Sequence, residues 1–440
     1  MNEIIKGLSK NLLEENPEIE ARIKHGIELH RKGTAKFTLL GKDGTEIRNA
    51  EIELKQTKHQ FEFGCNGFMI NQFREAEKNA AHDAMFSNLF NLAVVPFYWS
   101  DLEVEDGKPR FDKNSPHVYR RPNTDECLDF CDRYGIVPKG HPLMWHAFIP
   151  EWLAADDAML KLRWEQRVRE IAQRYGDRIR NWDVVNEAVY FDPKNPQLPP
   201  GHVEFAFDIA MKYLPQSCTL NYNDYACFDF PHGNYTGIYM LVKNLLLSGR
   251  KVDCLGLQYH LFGCKPEQMV EAWSKTKLNP SLLYDCMDQY AKLGIPFNIS
   301  EITLTAHEAL GDGRLEFQAQ MAERLYKIWF SHPGTQSIIY WNLIDNTAFR
   351  NPKHPQWNEN VYLGGLLDEN LQPKPAYKTL EHLIRKEWHS EGKITCSSEK
   401  NNYFRGFYGD YDVTIKTDSG AIRKQIKLQK GRANEFTFEI

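Results

Sequence analysis

The chain has 440 residues, of which 42% are hydrophobic and 26% are charged, and its formal net charge is −5. This ordinary composition excludes wholesale disorder, and the absence of a basic tract excludes a nucleic-acid-binding protein. The nine cysteines form no CxxC pair, which argues against a disulfide framework and a zinc site. No apolar run is long enough to span a membrane. Because no apolar signal segment begins the chain, we expect a cytoplasmic protein, or a secreted one if a signal peptide has been removed.

The first part of the chain combines a polar helical segment, residues 1–32, with two alternating strands in residues 33–60. The strands are predicted at Ala35–Leu40 and Ala50–Lys55, joined by a turn around Gly41–Gly44. Two strands alone do not make a stable sheet. We therefore expect them to pair with strands from elsewhere in the chain.

Residues 61–388 alternate short apolar strands with segments of helical periodicity. Gly135 and Gly294 directly follow two of these helical segments, as expected of helix C-caps before a strand. Eight strand–helix repeats predict an α/β fold, the TIM (β/α)8 barrel. A doubly wound sheet is the alternative, but no glycine-rich phosphate loop follows the first strand. The strands are predicted at Phe61–Cys65, Leu92–Phe97, Ile136–His141, Ile179–Glu187, Thr219–Asp224, Cys254–His260, Phe297–Glu301 and Ser337–Asn342.

Residues 389–440 contain short alternating strands and no helical segment. Four strands are expected there, which is again few for a separate domain. Together with residues 33–60 they predict one small accessory β-sandwich built from both ends of the chain. The four strands are predicted at Phe404–Tyr408, Tyr411–Lys416, Ile422–Leu428 and Glu435–Glu439.

Two of the predicted barrel strands end in a glutamate. The run Asn181–Glu187 ends in adjacent Asn and Glu, and Phe297–Glu301 ends in Glu. In a TIM barrel the carboxyl ends of the strands form the functional face. Two carboxylates placed there suit the cleavage of a glycosidic bond, which needs one group to transfer a proton and one to meet the cationic centre. Further polar residues at strand ends are His141, Asn186, Asn223, Asp224, Gln258, His260, Trp341 and Asn342.

Six short strings in the barrel region resemble motifs of glycoside hydrolase family 10, the xylanase family. They occur in that family's order and spacing between about residues 61 and 383. The family is a (β/α)8 barrel, which agrees with the independent count of eight strands. The strings are NWDVVNEAV (Asn181–Val189), KGHPLMWH (Lys139–His146), YNDY (Tyr222–Tyr225), GLQYH (Gly256–His260), NISEI (Asn298–Ile302) and LLDENLQPKPAY (Leu366–Tyr377).

The resemblance implies roles for the residues that match these motifs. Glu187 would be the general acid/base and Glu301 the nucleophile of a retaining reaction, and Asn186 would bond the sugar 2-hydroxyl. His260 would hydrogen-bond Glu301 and help to keep it ionised, while a less polar environment raises the pKa of Glu187. The remaining residues expected to bind substrate are His141, Trp145, Gln258, Trp341, Tyr98 and Trp99.

The chain departs from the family pattern on one side of the expected cleft. After the second strand the family usually carries Glu-Asn followed by Lys, which hold the sugars at the −2 and −1 subsites. Here that run is Val94–Trp99, which is apolar, so the polar clamp for a second xylose is either missing or replaced by aromatic stacking. Thr303 stands where the family has Asp, and Phe349 stands at the position of a second tryptophan.

These features predict a retaining glycoside hydrolase that acts on oligo- or polysaccharides, as an endo-β-1,4-xylanase or a xylo-oligosaccharide hydrolase. A β-glycosidase of the same family with another sugar or aglycone is one alternative, and a non-catalytic carbohydrate-binding barrel is another. A metal-dependent barrel hydrolase is disfavoured because no His-x-His pair ends the first strand. The proposed chemistry requires no cofactor and no metal.

Overall fold

The computed structural model describes residues 2–47, 50–153, 156–189, 198–225, 227–229, 236–350, 358–396, 402–417 and 420–440. Its strands are β1 (Lys32–Leu40), β2 (Ala50–His59), β3 (Glu62–Asn66), β4 (Leu92–Pro96), β5 (Val137–His141), β6 (Asn181–Asn186), β7 (Thr219–Asp224), β8 (Cys254–His260), β9 (Phe297–Thr303), β10 (Thr335–Tyr340), β11 (Glu391–Cys396), β12 (Tyr403–Phe407), β13 (Gly409–Thr417), β14 (Gly420–Leu428) and β15 (Glu435–Glu439). Its α-helices are α1 (Glu3–Leu12), α2 (Pro17–Arg31), α3 (Ala76–Leu89), α4 (Trp99–Leu102), α5 (Thr124–Tyr134), α6 (Asp157–Tyr175), α7 (His202–Tyr213), α8 (Gly237–Leu247), α9 (Met269–Trp273), α10 (Pro280–Ala291), α11 (Arg314–Ser331) and α12 (Pro375–His382).

The chain forms two compact units. The first contains residues Met1–Glu14, Phe63–Tyr326 and Gly334–Lys378, and the second contains residues Glu15–Glu62, Lys327–Pro333 and Thr379–Ile440. No helix among the described residues is long and apolar enough to cross a membrane.

The first unit contains a closed barrel of eight strands in the order β10-β3-β4-β5-β6-β7-β8-β9. From β3 round to β10, neighbouring strands pair in parallel. The prediction of a TIM barrel is confirmed. The strands predicted at Thr219–Asp224 and Cys254–His260 have the observed bounds, and the other six differ from theirs by one or two residues at an end.

Local sequence signals explain where several barrel helices begin and end. The Asn123 side chain accepts the Glu126 amide and caps α5, and Thr236 caps α8 in the same way. Gly135 follows α5 in the left-handed conformation, with φ at +64°, as the sequence predicts. The chain can therefore turn from α5 directly into β5.

The second unit is a β-sandwich of two sheets, which confirms the predicted accessory fold. One sheet has the order β12-β1-β15 and the other β11-β2-β13-β14, so strands from both ends of the chain pair in each sheet. Apolar side chains alternate along β1 and β2 and face a common core. That core includes Phe37 of β1, Ile52 and Leu54 of β2, and Val413 and Ile415 of β13. The pairing explains why neither terminal segment suffices alone.

Candidate active site

The two glutamates singled out in the sequence lie at the carboxyl ends of nearly opposite barrel strands. Glu187 directly follows β6, and Glu301 lies within β9 with only 4% of its surface exposed. Glu187 has a φ of +54°, a left-handed conformation that non-glycine residues seldom adopt. Its amide donates to the Asn223 carbonyl at 2.9 Å, which holds the backbone in this conformation.

One hydrogen-bond network joins the two carboxylates. The Gln258 amide nitrogen donates to Glu187 Oε1 at 3.0 Å, and the Asn223 amide nitrogen donates to Glu301 Oε1 at 2.7 Å. Both nitrogens also donate to Asn186 Oδ1, at 3.2 and 2.8 Å respectively. The Asn186 oxygen is therefore occupied, and its NH2 group is the part that can bond a ligand hydroxyl.

Both glutamates have a pKa above the ordinary range. Burial, followed by the charge of Glu301, raises the pKa of Glu187 to about 8 despite the bond from Gln258. Burial also raises the pKa of Glu301 to about 7, although His141 and Asn223 lower it. Two buried carboxyl groups in one network titrate as a pair, and this order leaves their shared proton on Glu187 near neutral pH.

A buried ion pair lies beneath Glu301. Asp183 Oδ2 accepts from Lys139 Nζ at 2.7 Å and lies 2.8 Å from His141 Nδ1, and Asp183 Oδ1 accepts from the Asn221 amide at 3.2 Å. Burial alone would raise the pKa of Asp183, but Lys139 and His141 lower it to about 2. The remaining ring nitrogen of His141 stands 3.8 Å from Glu301 Oε1. Since Asp183 holds Nδ1–H, Nε2 is directed at the glutamate.

Aromatic rings cover one flank of the glutamates. The Tyr98 and Trp341 rings each lie 5.6 Å from the His141 ring, and Trp145 lies 5.6 Å from Tyr98. The indole N–H of Trp145 is buried and has no hydrogen-bond partner among the described residues. This N–H lies close enough to Glu187 to lower the pKa of that carboxyl, although burial raises the same pKa by more. The two groups do not have hydrogen-bond geometry.

Comparison with known proteins identifies the family of this barrel. The model of "Glycosyl hydrolase family 10" matches residues 68–383, which is more than half of the chain. The chain belongs to glycosyl hydrolase family 10. It is therefore a glycoside hydrolase of the endo-xylanase-like class.

Curated relatives of this family 10 hydrolase include Endo-1,4-beta-xylanase 2 of Aureobasidium pullulans, 26% identical over 59% of this chain and 73% of the relative. Endo-1,4-beta-xylanase B of Neocallimastix patriciarum is 28% identical over 70% of this chain, but the match spans only 34% of that protein. Anti-sigma-I factor RsgI6 of Acetivibrio thermocellus is 23% identical over 93% of this chain and 48% of its own length.

Solved structures show the same fold. The xylanase 10B of Thermotoga petrophila RKU-1, in complex with xylobiose, superposes with a TM-score of 0.58 at 21% identity. That match covers 74% of this chain and 95% of the xylanase. The intracellular xylanase TsXylA of Thermoanaerobacterium saccharolyticum gives a TM-score of 0.57, also at 21% identity, over 73% of this chain and 95% of its own.

The hydrogen bond expected between His260 and Glu301 is made by a neutral imidazole. His260 Nε2 does lie 3.3 Å from Glu301 Oε2, but burial lowers the pKa of His260 to about 3, so the imidazole is neutral. Its Nδ1 lies 2.9 Å from the Thr303 hydroxyl. A hydroxyl that donates to Nδ1 leaves the proton on Nε2, which then donates to Glu301. Thr303 in place of the family's Asp thus sets a tautomer without adding a charge.

Trp99 is set apart from the other predicted binding residues. Its indole nitrogen donates to Glu103 at 2.8 Å, and its ring lies 6.0 Å from Trp164 and 6.3 Å from Trp152. These described contacts lie outside the group that surrounds the glutamates, whereas neighbouring Tyr98 is within it. The role of Trp99 in binding stays a prediction.

The sequence reasoning did not single out the Lys139–Asp183 pair. Both side chains are 1% exposed, in the middle of barrel strands β5 and β6. The sequence does contain a signal for this pair, since each of two barrel strands carries one charged residue. A charge that faces the barrel interior requires a partner of opposite charge there. Within the described residues, no group of three or more His, Cys, Asp or Glu side chains is arranged to hold a metal.

Proposed function

We propose that this family 10 hydrolase cleaves β-1,4-xylosidic bonds by a double displacement with net retention. Glu187 acts as the general acid/base and Glu301 as the nucleophile. The substrate class is supported by the xylanase relatives and by the motifs around both glutamates. The main observation in support of the mechanism is that Glu187 and Glu301, two buried carboxyls that share one proton, are joined by one hydrogen-bond network.

In the first step, protonated Glu187 gives its proton to the glycosidic oxygen as ionised Glu301 attacks the anomeric carbon. The bond to the leaving group breaks, and a glycosyl ester forms on Glu301. In the second step, Glu187, now a carboxylate, takes a proton from water, and the water oxygen replaces the ester oxygen. Glu301 accepts hydrogen bonds from Asn223 and His260, which favours its ionised form, while burial and the charge of Glu301 raise the pKa of Glu187 and keep the proton there near neutral pH.

The surrounding amides hold both groups in place. Asn223 and Gln258 each bond one glutamate and the Asn186 oxygen, so that the Asn186 NH2 group is positioned for a sugar hydroxyl. Neutral His260 donates to the other Glu301 oxygen. Donors already aimed at the nucleophile need no reorganisation during the reaction.

The mechanism is tested by following the anomeric form of the first product by proton NMR. We expect the β-anomer to appear first and to mutarotate later. Glu187→Gln should lower kcat by at least about a hundredfold on substrates with a poor leaving group. Glu301→Gln should abolish turnover, and Glu204→Gln, on helix α7, serves as the matched control.

Two results would contradict the proposal. Initial formation of the α-anomer would show inversion, and activity that survives both substitutions would remove the glutamates from the reaction. A folded wild-type protein that binds xylo-oligosaccharides without cleaving them would instead favour a carbohydrate-binding barrel.

A further inference from the structure

A group of buried side chains lies where three neighbouring barrel strands end. We call it the rim cluster, and it consists of Phe68 after β3, Tyr98, Arg120 and Arg121 after β4, and Trp341 after β10. None of the five is more than 6% exposed. The resemblance to family 10 places the sugars on the non-reducing side of the cleaved bond over the end of the second barrel strand, which is β4. The rim cluster therefore occupies the side on which a −2 sugar would lie.

The three aromatic rings of the rim cluster cover one another. Phe68 stands edge-on to Tyr98, with ring centroids 5.7 Å apart, and to Trp341 at 5.2 Å. Tyr98 also packs against Phe148 at 4.6 Å. A sugar stacks on a ring only where the ring face is open. These three rings are at most 6% exposed, so little of their area is open to a stacked sugar.

Arg121 closes the remaining face of Tyr98. Its guanidinium lies 4.0 Å from the centre of the Tyr98 ring, and its Nε donates to Asp101 at 2.8 Å. Its Nη1 donates to the Arg120 carbonyl at 3.0 Å. A stacked guanidinium held by a carboxylate is costly to displace, because both charges would need new partners.

Arg120 connects the rim cluster to Asn342, which follows β10. Its Nη2 donates to Asn342 Oδ1 at 2.7 Å, and its guanidinium lies 5.4 Å from the Phe68 ring. The Asn342 amide in turn receives a bond from Asn66 at 3.3 Å and donates to Glu359 at 2.6 Å. Several polar groups on this side are thus bonded to one another, although the buried Arg120 Nε has no partner among the described residues, whereas the Asn186 NH2 group beside the glutamates can bond a ligand.

We propose that the rim cluster closes the cleft after a single sugar on the non-reducing side, so that the enzyme releases one terminal sugar at a time. This inference rests on the proposed function and deepens it, because it names the substrate as the non-reducing end of a short β-1,4-linked chain. Tyr98 and Trp341, against His141, form the wall that ends the site. Arg121 is the specificity-determining residue that keeps this wall closed.

Two exposed aromatic residues define the competing arrangement. Tyr119 is 54% exposed and donates from its hydroxyl to the Thr347 carbonyl, and Phe349 is 46% exposed. A substrate that passed above the rim cluster could stack on them. In that case two or more sugars would lie on the non-reducing side.

The test uses the wild-type enzyme and xylo-oligosaccharides of four and six sugars, labelled at the reducing end. We expect the first labelled product to be one sugar shorter than the substrate, together with unlabelled xylose. Xylobiose or xylotriose among the first unlabelled products would overturn the inference and leave the proposed function intact. No cleavage of either substrate would refute the proposed function, and this inference with it.

A second measurement needs no variant. Nitrophenol release from 4-nitrophenyl β-xylobioside should show a lag, because the terminal xylose must leave first, whereas the β-xyloside should show none. Immediate release that is faster than from the β-xyloside would mean that two sugars bind together on the non-reducing side, which would overturn the inference.

Arg121→Ala removes the group that covers Tyr98 and should raise the share of xylobiose among the first products by at least about tenfold. Tyr119→Ala is the matched control and should leave the product ratio unchanged. A changed ratio in Tyr119→Ala would show that sugars stack above the rim cluster, contrary to the inference. Thermal melting establishes that each variant is folded, and should Arg121→Ala not fold, the two wild-type measurements decide.

Discussion

Replacement of Asp183 by Asn tests the buried ion pair beneath the two glutamates. The carboxylate is bonded to Lys139 and His141, and it is 1% exposed. Burial alone would raise its pKa, but Lys139 and then His141 lower the value from 3.8 to about 2. At about 1.4 kcal/mol for each pH unit, this difference stabilises the folded state by roughly 2–3 kcal/mol at neutral pH.

Asp183→Asn also leaves the Lys139 ammonium buried without an anionic partner, which adds to the loss. We therefore expect the free energy of unfolding to fall by about 2–5 kcal/mol at pH 7, seen as a melting temperature lower by about 2–7 °C. Because the pKa of Asp183 is lowered in the folded state, the stabilisation is complete above the unfolded value of 3.8. It is lost as the pH falls towards 2, so the two proteins should converge there.

The matched control is Asp208→Asn, which removes an exposed ion pair with Arg250 at 2.9 Å. An exposed pair contributes about 1 kcal/mol or less, so this variant should melt close to the wild type. Equal losses in the two variants would refute the reasoning, as would a loss below about 1 kcal/mol for Asp183→Asn. Adding Lys139→Met to Asp183→Asn should recover much of the stability, because no unpaired charge then remains buried.

The other predictions concern activity on an aryl β-xyloside and the packing around the network. The pH profile of kcat/KM should be bell-shaped. The rate should fall at pH below about 7, where Glu301 gains a proton, and at pH above about 8, where Glu187 loses one. A profile that stays flat to pH 9 would contradict these assignments. Gly256→Ala should lower both kcat/KM, by at least about tenfold, and the melting temperature, because the new Cβ would stand 1.9 Å from Asn223 Oδ1. Unchanged kinetics would show that the Asn223 amide can move freely. Thr303→Val should lower kcat/KM by about fivefold and move the acidic limb of the pH profile, because the His260 imidazole loses the bond that sets its tautomer. A change in stability alone would indicate that Thr303 contributes only to packing.

The barrel and the position of both glutamates could be predicted from the sequence. Strand periodicity and helix caps are local signals, and the eight predicted strands match the observed barrel closely. Because parallel strands in a closed barrel end on one face, Glu187 and Glu301 had to share that face although 114 residues separate them in the chain. The accessory sandwich was predictable for a similar reason, since neither terminal segment has enough strands alone.

The neighbours of the glutamates could not be predicted in the same way. The hydrogen bond between His260 and Glu301 was expected, but the neutral state of the imidazole follows from its burial, which is a property of the folded barrel. Trp99 follows Tyr98 directly, yet only Tyr98 joins the group beside the glutamates, because consecutive residues here point to different surroundings.

By itself, the sequence determined the barrel, the family and the pair of carboxylates, since these follow from strand periodicity and from motifs contiguous in the chain. Only the tertiary structure decided the form of the non-reducing side. The apolar run at Val94–Trp99 suggested aromatic stacking for a second sugar. In the fold, Arg120 and Arg121 lie on a loop without periodic signal, where Arg121 covers Tyr98 of that run and Arg120 lies over Phe68. The contact of Arg120 with Asn342 bridges 222 residues of sequence, so it arises only when the barrel closes and brings β10 beside β3.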